Sequence, residues 1–61
     1  MKTVVYFYDY KGNFKNRKLS KYKNYKEEDI VLFMRKKHRI SSIIINEDEN
    51  EQQVRAFCKT P

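Results

Sequence analysis

The fold depends on one stretch of the sequence, NYKEEDIVLFMRKKHRISSIIIN, residues 24–46. Asn24 is followed three residues later by Glu27, and this spacing is typical of a capping box, in which two side chains satisfy the first free N–H groups of a helix. Three acidic residues at 27–29 and the cations of 35–39 complement the positive and negative ends of a helix dipole. The stretch therefore predicts a helix that begins near Asn24 and ends near His38.

The apolar residues of the same stretch support this prediction. At roughly 100° per residue, Ile30, Phe33 and Met34 share one stripe, whereas Leu32 falls among charged residues on the opposite side. Leu32 is thus the apolar residue that we expect outside the core. After His38 the pattern becomes extended, because residues 43–45 are three consecutive β-branched isoleucines, and it predicts a strand of about 39–46.

A first hairpin is predicted ahead of the helix. Residues 3–10 are rich in β-branched and aromatic side chains, Gly12 supplies a tight turn, and a return strand of about 14–19 follows. With a two-residue loop, even-numbered positions of the first strand face odd-numbered positions of the second. Val5 and Phe7 would then point towards the helix together with Phe14, and the tyrosines between them would point towards water.

The last strand is predicted at about 52–59. Val54, Ala56 and Cys58 alternate with Arg55 and Phe57, and the strand should pair with the one around residue 43 across the acidic turn at 47–50. The whole chain, residues 1–61, is then a single α+β domain. We expect a small antiparallel β-sheet with one α-helix packed on one face, in the order β-β-α-β-β.

Composition excludes several classes of protein. One Cys and one His leave no internal disulfide and no four-ligand zinc site, and no apolar run approaches the ~20 residues that span a bilayer. Met1-Lys2 leads directly into strand-like sequence, so no signal peptide is predicted. We expect a soluble, cytoplasmic protein with no cofactor, no metal and no membrane partner, and both a monomer and a homodimer fit its size.

Catalytic groups are sparse. His38 lies in a basic run without a carboxylate to orient it, which favours a solvated helix-terminal cation or a hydrogen-bonding residue. Cys58 shares an alternating face with Val54 and Ala56, which favours a small buried residue over a reactive thiol. We therefore expect a protein that is not an enzyme; a small ribonuclease that uses His38 is a weaker alternative.

The charge distribution favours binding. The net charge is +6, and residues 11–26 hold seven basic residues and no acidic one, interleaved with aromatic residues. Such a mixture is typical of surfaces that neutralise phosphates and stack bases. We expect a non-enzymatic binding protein of phage or mobile-element type that engages nucleic acid or a nucleic-acid-processing complex. The expected phosphate contacts are Lys15, Arg17, Lys18, Lys21, Lys23, Arg35, Lys36 and Arg39, and the expected stacking residues are Tyr6, Tyr8 and Tyr22.

The alternative function is a small inhibitor or antitoxin-like modulator that binds and blocks a host protein. Leu32 and Phe57 are its expected anchors, because they are single exposed apolar residues of the type that anchors protein interfaces. Salt dependence separates the two functions, since phosphate binding weakens steeply with added salt and an apolar interface does not.

Overall fold

The chain forms one five-stranded sheet and contains no helix. The computed structural model describes residues 1–61. Its strands are β1 (Lys2–Tyr8), β2 (Phe14–Lys21), β3 (Ile30–Phe33), β4 (Lys36–Asn46) and β5 (Glu51–Cys58). Their order across the sheet is β2-β1-β5-β4-β3, and every neighbouring pair is antiparallel except β1 and β5, which run parallel. The sheet curls into a half-barrel, so the prediction of an α+β fold is wrong.

The stretch predicted as a helix is instead a connection at 24–29, strand β3, a turn and the first residues of β4. Met34 and Arg35 adopt left-handed backbone conformations, with φ of 54° and 63°, and close a two-residue turn between Phe33 and Lys36. Neither residue type favours such a turn, so the sequence contains no local indication of it. The long β4 strand pairs with β5 from His38 to Asn46, and these long-range contacts outweigh a helix preference that is weak in a short segment.

The acidic residues expected in the first turn of the helix lie in the connection before β3. Asp29 accepts a hydrogen bond from the backbone N–H of Lys26 through Oδ2 at 3.0 Å, and its backbone carbonyl accepts one from Ile40 at 2.9 Å. Asp29 therefore closes a tight turn and leads the chain into β3. The acidic residues after Asn24 thus shape a loop rather than begin a helix.

Burial in β3 follows a period of two rather than 3.6. Val31 and Phe33 pack against the core, while Ile30 and Leu32 point to the other side of the sheet. Met34, expected in the core, is 77% exposed at the turn, and Ile30 is also exposed. The prediction that Leu32 is exposed is confirmed, but strand alternation is the reason.

The core lies on the inner face of the curl. Val5, Phe7, Ile40, Val54 and Ala56 form its buried centre. Partly buried side chains from the connection before β3 and from β3 and β4 complete it: Tyr25, Val31, Phe33 and Ile43. The rings of Phe7 and Phe33 stack with centroids 4.4 Å apart, so the sheet covers its own inner face where a helix was expected. The inward placement of Val5 and Phe7 is confirmed.

The β1–β2 connection departs from the expected two-residue loop. Asp9 pairs with Asn13 across three residues, and Gly12 has φ of +91°. The three-residue loop shifts the register of β1 with β2 by one residue. A β-bulge between the pairs of Tyr8 and Phe7 shifts the register back. Beyond the bulge, even-numbered residues of β1 therefore still pair with odd-numbered residues of β2, as predicted, and Tyr6 lies opposite Arg17. Phe14 lies before the bulge, so it shares a face with the tyrosines, and its expected place beside Val5 is wrong.

The last hairpin agrees with its prediction. β4 and β5 pair in antiparallel register with Ile43 opposite Val54, and residues 47–50 connect them. Val54, Ala56 and Cys58 are all buried on the inner face. The observed strand β4 begins at Lys36, three residues earlier than predicted, because the expected helix end belongs to it.

Candidate nucleic-acid interface

On the outer face of the sheet, opposite the core, aromatic and charged side chains form rows that cross the strands. The register places one mainly aromatic row near the β1–β2 loop and a row rich in arginine next to it. The aromatic row runs Phe14, Tyr8, Phe57, Arg39 and Ile30 across all five strands. The arginine row runs Arg17, Tyr6, Arg55 and Ser42.

The aromatic row is a set of rings in mutual contact. Tyr8 and Phe57 stack with centroids 4.7 Å apart and planes 16° from parallel. Phe14 packs edge-on to Tyr8 at 5.9 Å and keeps 56% of its surface exposed. Gly12 passes close to Phe57, since a Cβ there would lie 3.9 Å from the ring. These contacts hold the rings in a fixed arrangement at the surface.

Tyr6 lies between two exposed arginines. Arg17 on β2 and Arg55 on β5 are its direct cross-strand neighbours on the same face. The ion pairs of the molecule are Lys2 with Glu51 and Arg39 with Glu28, both 3.6 Å long, so neither Arg17 nor Arg55 is neutralised by a carboxylate. The row thus presents two free guanidinium groups beside a half-buried phenol ring.

Four of the expected nucleic-acid contacts meet on this surface. Tyr6, Tyr8 and Arg17 are cross-strand neighbours, and Arg39 lies in the aromatic row beyond Phe57, where it forms an ion pair with Glu28. Lys21 also lies on the outer face, two rows away, opposite Lys2. Since Lys2 binds Glu51, that row is closer to neutral than the arginine row.

The other expected contacts are scattered. Lys18 points to the inner side, where its Nζ lies 5.3 Å from the centre of the Phe33 ring. Lys15 and Lys36 line a groove of about 670 Å³ at one end of the half-barrel. Arg35 is at the tip of the β3–β4 hairpin. Tyr22 and Lys23 belong to the connection before β3, where Lys23 Nζ lies over the Tyr25 ring at 5.4 Å.

Two residues of the surface were missing from the predicted contacts, and a third had another role. Arg55 and Phe14 were not among them, and Phe57 was expected to anchor a protein partner. Alternation placed Arg55 and Phe57 on the outer face, but only the parallel pairing of β1 with β5 brings them beside the tyrosines. That pairing joins the two ends of the chain, and no local pattern indicates it.

His38 does not occupy an exposed basic run. It is 4% exposed, and its ring packs edge-on against Phe7 at 5.2 Å and Phe33 at 5.8 Å. Nδ1 lies 3.0 Å from the backbone oxygen of Lys36. A carbonyl only accepts, so Nδ1 carries the proton and donates it. The prediction of a solvated His38 is therefore wrong, whereas its role as a hydrogen-bonding residue is confirmed.

Cys58 is buried, and its thiol donates to the backbone oxygen of Thr60 at 3.1 Å. No group of three or more His, Cys, Asp or Glu side chains is arranged to hold a metal ion. No helix is present that could cross a membrane.

Asp9 is a structural carboxylate beside the site. It accepts backbone N–H bonds from Asn13 at 2.8 Å and Lys11 at 2.9 Å. The bond from Asn13 is the main reason that the pKa of Asp9 lies below its ordinary value of 3.8. Asp9 therefore fixes the loop that carries Gly12 next to the aromatic row.

Comparisons with known proteins add no family: no protein-family model, no curated protein and no solved structure matches this chain.

Proposed function

We propose that this protein is a non-enzymatic binder of single-stranded nucleic acid and that the strand lies across the outer face of the sheet. The observation that carries the proposal is the position of Tyr6 between Arg17 and Arg55, next to the aromatic row. Guanidinium groups bind phosphates and also stack on bases, while aromatic rings stack on bases of any sequence. One small surface thus offers both contacts that a single strand needs.

A single strand fits this surface better than a duplex. The exposed ring surface of Phe14, together with the Tyr8 and Phe57 rings beside it, is useful only to a ligand whose base faces are free. In a duplex those faces are stacked on one another. A duplex would therefore gain only the charge interaction with the arginines.

Charge limits where the strand can lie. The acidic turn at 47–50 leaves the sheet at the end that carries Lys2 and Glu51, away from the aromatic row. Since carboxylates repel phosphates, the bound strand should cover the aromatic and arginine rows and avoid the opposite end. The net charge of +6 assists association with any polyanion.

Fluorescence anisotropy with a labelled strand of about ten nucleotides tests the proposal, since such lengths match one small binding face. Binding at low salt should exceed that of a duplex of the same sequence. Arg17→Ala and Arg55→Ala should each lower the salt dependence by about one released ion, as expected for a phosphate contact. Tyr6→Leu, which keeps an apolar side chain, should weaken binding at every salt concentration.

Lys21→Ala is the matched control, because it removes a cation from the same face outside the two rows. It should change affinity much less than Arg17→Ala. If no DNA or RNA strand binds at low salt, or if the arginine variants bind as well as the lysine control, the proposal is wrong.

A protein partner is the second candidate, and the exposure of β3 favours it. Leu32 is 68% exposed and Ile30 46%, and both lie on the outer face beside Lys37 and Arg39. Phe57, the other expected anchor, is half-buried against Tyr8 and offers less surface. An inhibitor of a host protein would use this edge. Retention of a lysate protein after nuclease treatment and in high salt, lost in Leu32→Ser, would support it over strand binding.

A further inference from the structure

Strand β2 leaves one long edge of the sheet without a partner. It is the terminal strand of the sheet, and all eight of its residues are exposed. The opposite edge, β3, has only four residues and ends at a turn. A free edge exposes backbone N–H and C=O groups that can pair with another strand.

Three hydrogen bonds show which backbone groups point outwards. The N–H of Arg17 donates to Asn16 Oδ1 at 2.8 Å, and the carbonyl of Lys21 accepts from the Ser20 hydroxyl at 3.2 Å. The N–H of Lys2, which faces Lys21, donates instead to Asn50 next to β5. Because antiparallel pairs alternate between bonded and non-bonded, the outward groups belong to Arg17, Leu19 and Lys21.

Leu19 is at the centre of this edge. Arg17 and Lys21 each have one outward backbone group that is hydrogen-bonded to a nearby side chain. Neither outward backbone group of Leu19 has such a bond. Its side chain is 66% exposed and lies on the outer face, between the two cations. The edge thus offers an open N–H and C=O pair, an apolar contact and a positive charge on either side.

We propose that β2 binds an extended acidic peptide segment of a protein partner, which adds to the sheet as a sixth strand. Residues that alternate along a strand lie on one face. The segment should therefore carry an acidic, an apolar and an acidic residue at every second position, opposite Arg17, Leu19 and Lys21. Lys18 favours a further acidic residue on the inner side. Arg17 belongs both to this edge and to the arginine row, but the peptide pairs with the backbone of β2, so the proposal does not depend on strand binding.

A second copy of the chain is a poorer occupant than an acidic segment. Pairing of two β2 strands about Leu19 would place Arg17 of each chain opposite Lys21 of the other. Like charges directly opposite one another destabilise a strand pair. No acidic residue occurs between Lys11 and Lys26 to relieve this repulsion.

The test is titration of the protein with a synthetic peptide of alternating pattern, Thr-Glu-Thr-Val-Thr-Glu-Thr, capped at both ends. We expect binding, with new hydrogen-exchange protection of the Leu19 amide. A peptide that is N-methylated where its backbone N–H groups point towards β2 keeps its charge but cannot donate those hydrogen bonds. It should bind at least about tenfold more weakly.

Variants of the protein provide the second arm. Leu19→Pro removes an N–H that points away from β1, and edge strands tolerate proline at such positions. It should abolish peptide binding, whereas Leu19→Thr, which keeps the N–H, should retain most of it. Equal binding of the N-methylated peptide, equal binding by the proline variant while the fold is intact, or dimerisation through β2 without peptide would each overturn the proposal.

Discussion

The two hairpins at opposite edges of the sheet are closed by different means. In the β1–β2 hairpin, Gly12 takes the left-handed conformation and Asp9 accepts two backbone N–H bonds across the loop. In the β3–β4 hairpin, Met34 and Arg35 are both left-handed, at a cost of roughly 1–2 kcal/mol each. The residues of the first turn favour its conformation. The second turn is instead stabilised by the contacts that its two strands make with the rest of the sheet.

Those contacts are specific. Phe33, directly before the second turn, stacks on Phe7 of the central strand β1 and meets the edge of the His38 ring. Strand β4 then continues along β5 for most of its length. The difference between the hairpins shows that a strained turn persists where the strands leading from it are anchored in a core.

The largest effect should come from removing that anchor. Phe33→Ala should destabilise the protein by about 3 kcal/mol, because it deletes a ring stacked against the core. Met34→Ala, one residue away, should change the free energy of unfolding by less than about 0.5 kcal/mol, because Met34 is exposed. Urea denaturation of both variants measures the difference. A similar loss of unfolding free energy in both variants would instead indicate that Met34 is buried, as it would be on the apolar face of the predicted helix.

A smaller effect, of opposite sign, should follow when the second turn is given residues suited to it. Met34→Asn combined with Arg35→Gly should stabilise the protein by about 1–2 kcal/mol, because Asn-Gly adopts this turn without strain. Thermal unfolding measures the gain. Gly12→Ala in the first hairpin is the mirror control and should lower stability by about 1 kcal/mol through its backbone conformation alone. A loss of stability in the Asn-Gly variant would refute the two-residue turn.

The smallest effect concerns pH. The folded-state pKa of Asp9 is lowered, so its carboxylate adds stability above its ordinary value of 3.8, and this stability is lost as the pH falls through the folded value. An NMR titration should show Asp9 titrating below 3.8, accompanied by changes at the Lys11 and Asn13 amides. Asp9→Asn should remove those amide changes. An Asp9 pKa at or above 3.8 would contradict the loop geometry.

The difference between the two hairpins also explains which parts of the fold could be predicted from the sequence. The β1–β2 and β4–β5 hairpins follow from alternation and turn residues, and the inward direction of Val5 and Phe7 follows with them. The β3–β4 hairpin could not be recognised, since charges at 27–29 and 35–39 imitate a helix and its turn has no preferred residue. The position of Arg55 beside Tyr6 could not be predicted either, because only the parallel pairing of β1 and β5 brings the two residues together.

Nuclear Overhauser effects distinguish a hairpin at residues 30–39 from a helix. In the observed register, Leu32 and Lys37 face each other as a non-hydrogen-bonded pair, as do Ile30 and Arg39. We expect strong nuclear Overhauser effects between the α-protons of each pair, because these protons lie close together in non-hydrogen-bonded pairs. Their absence, together with α-proton to amide effects three residues apart through 27–37, would contradict the hairpin.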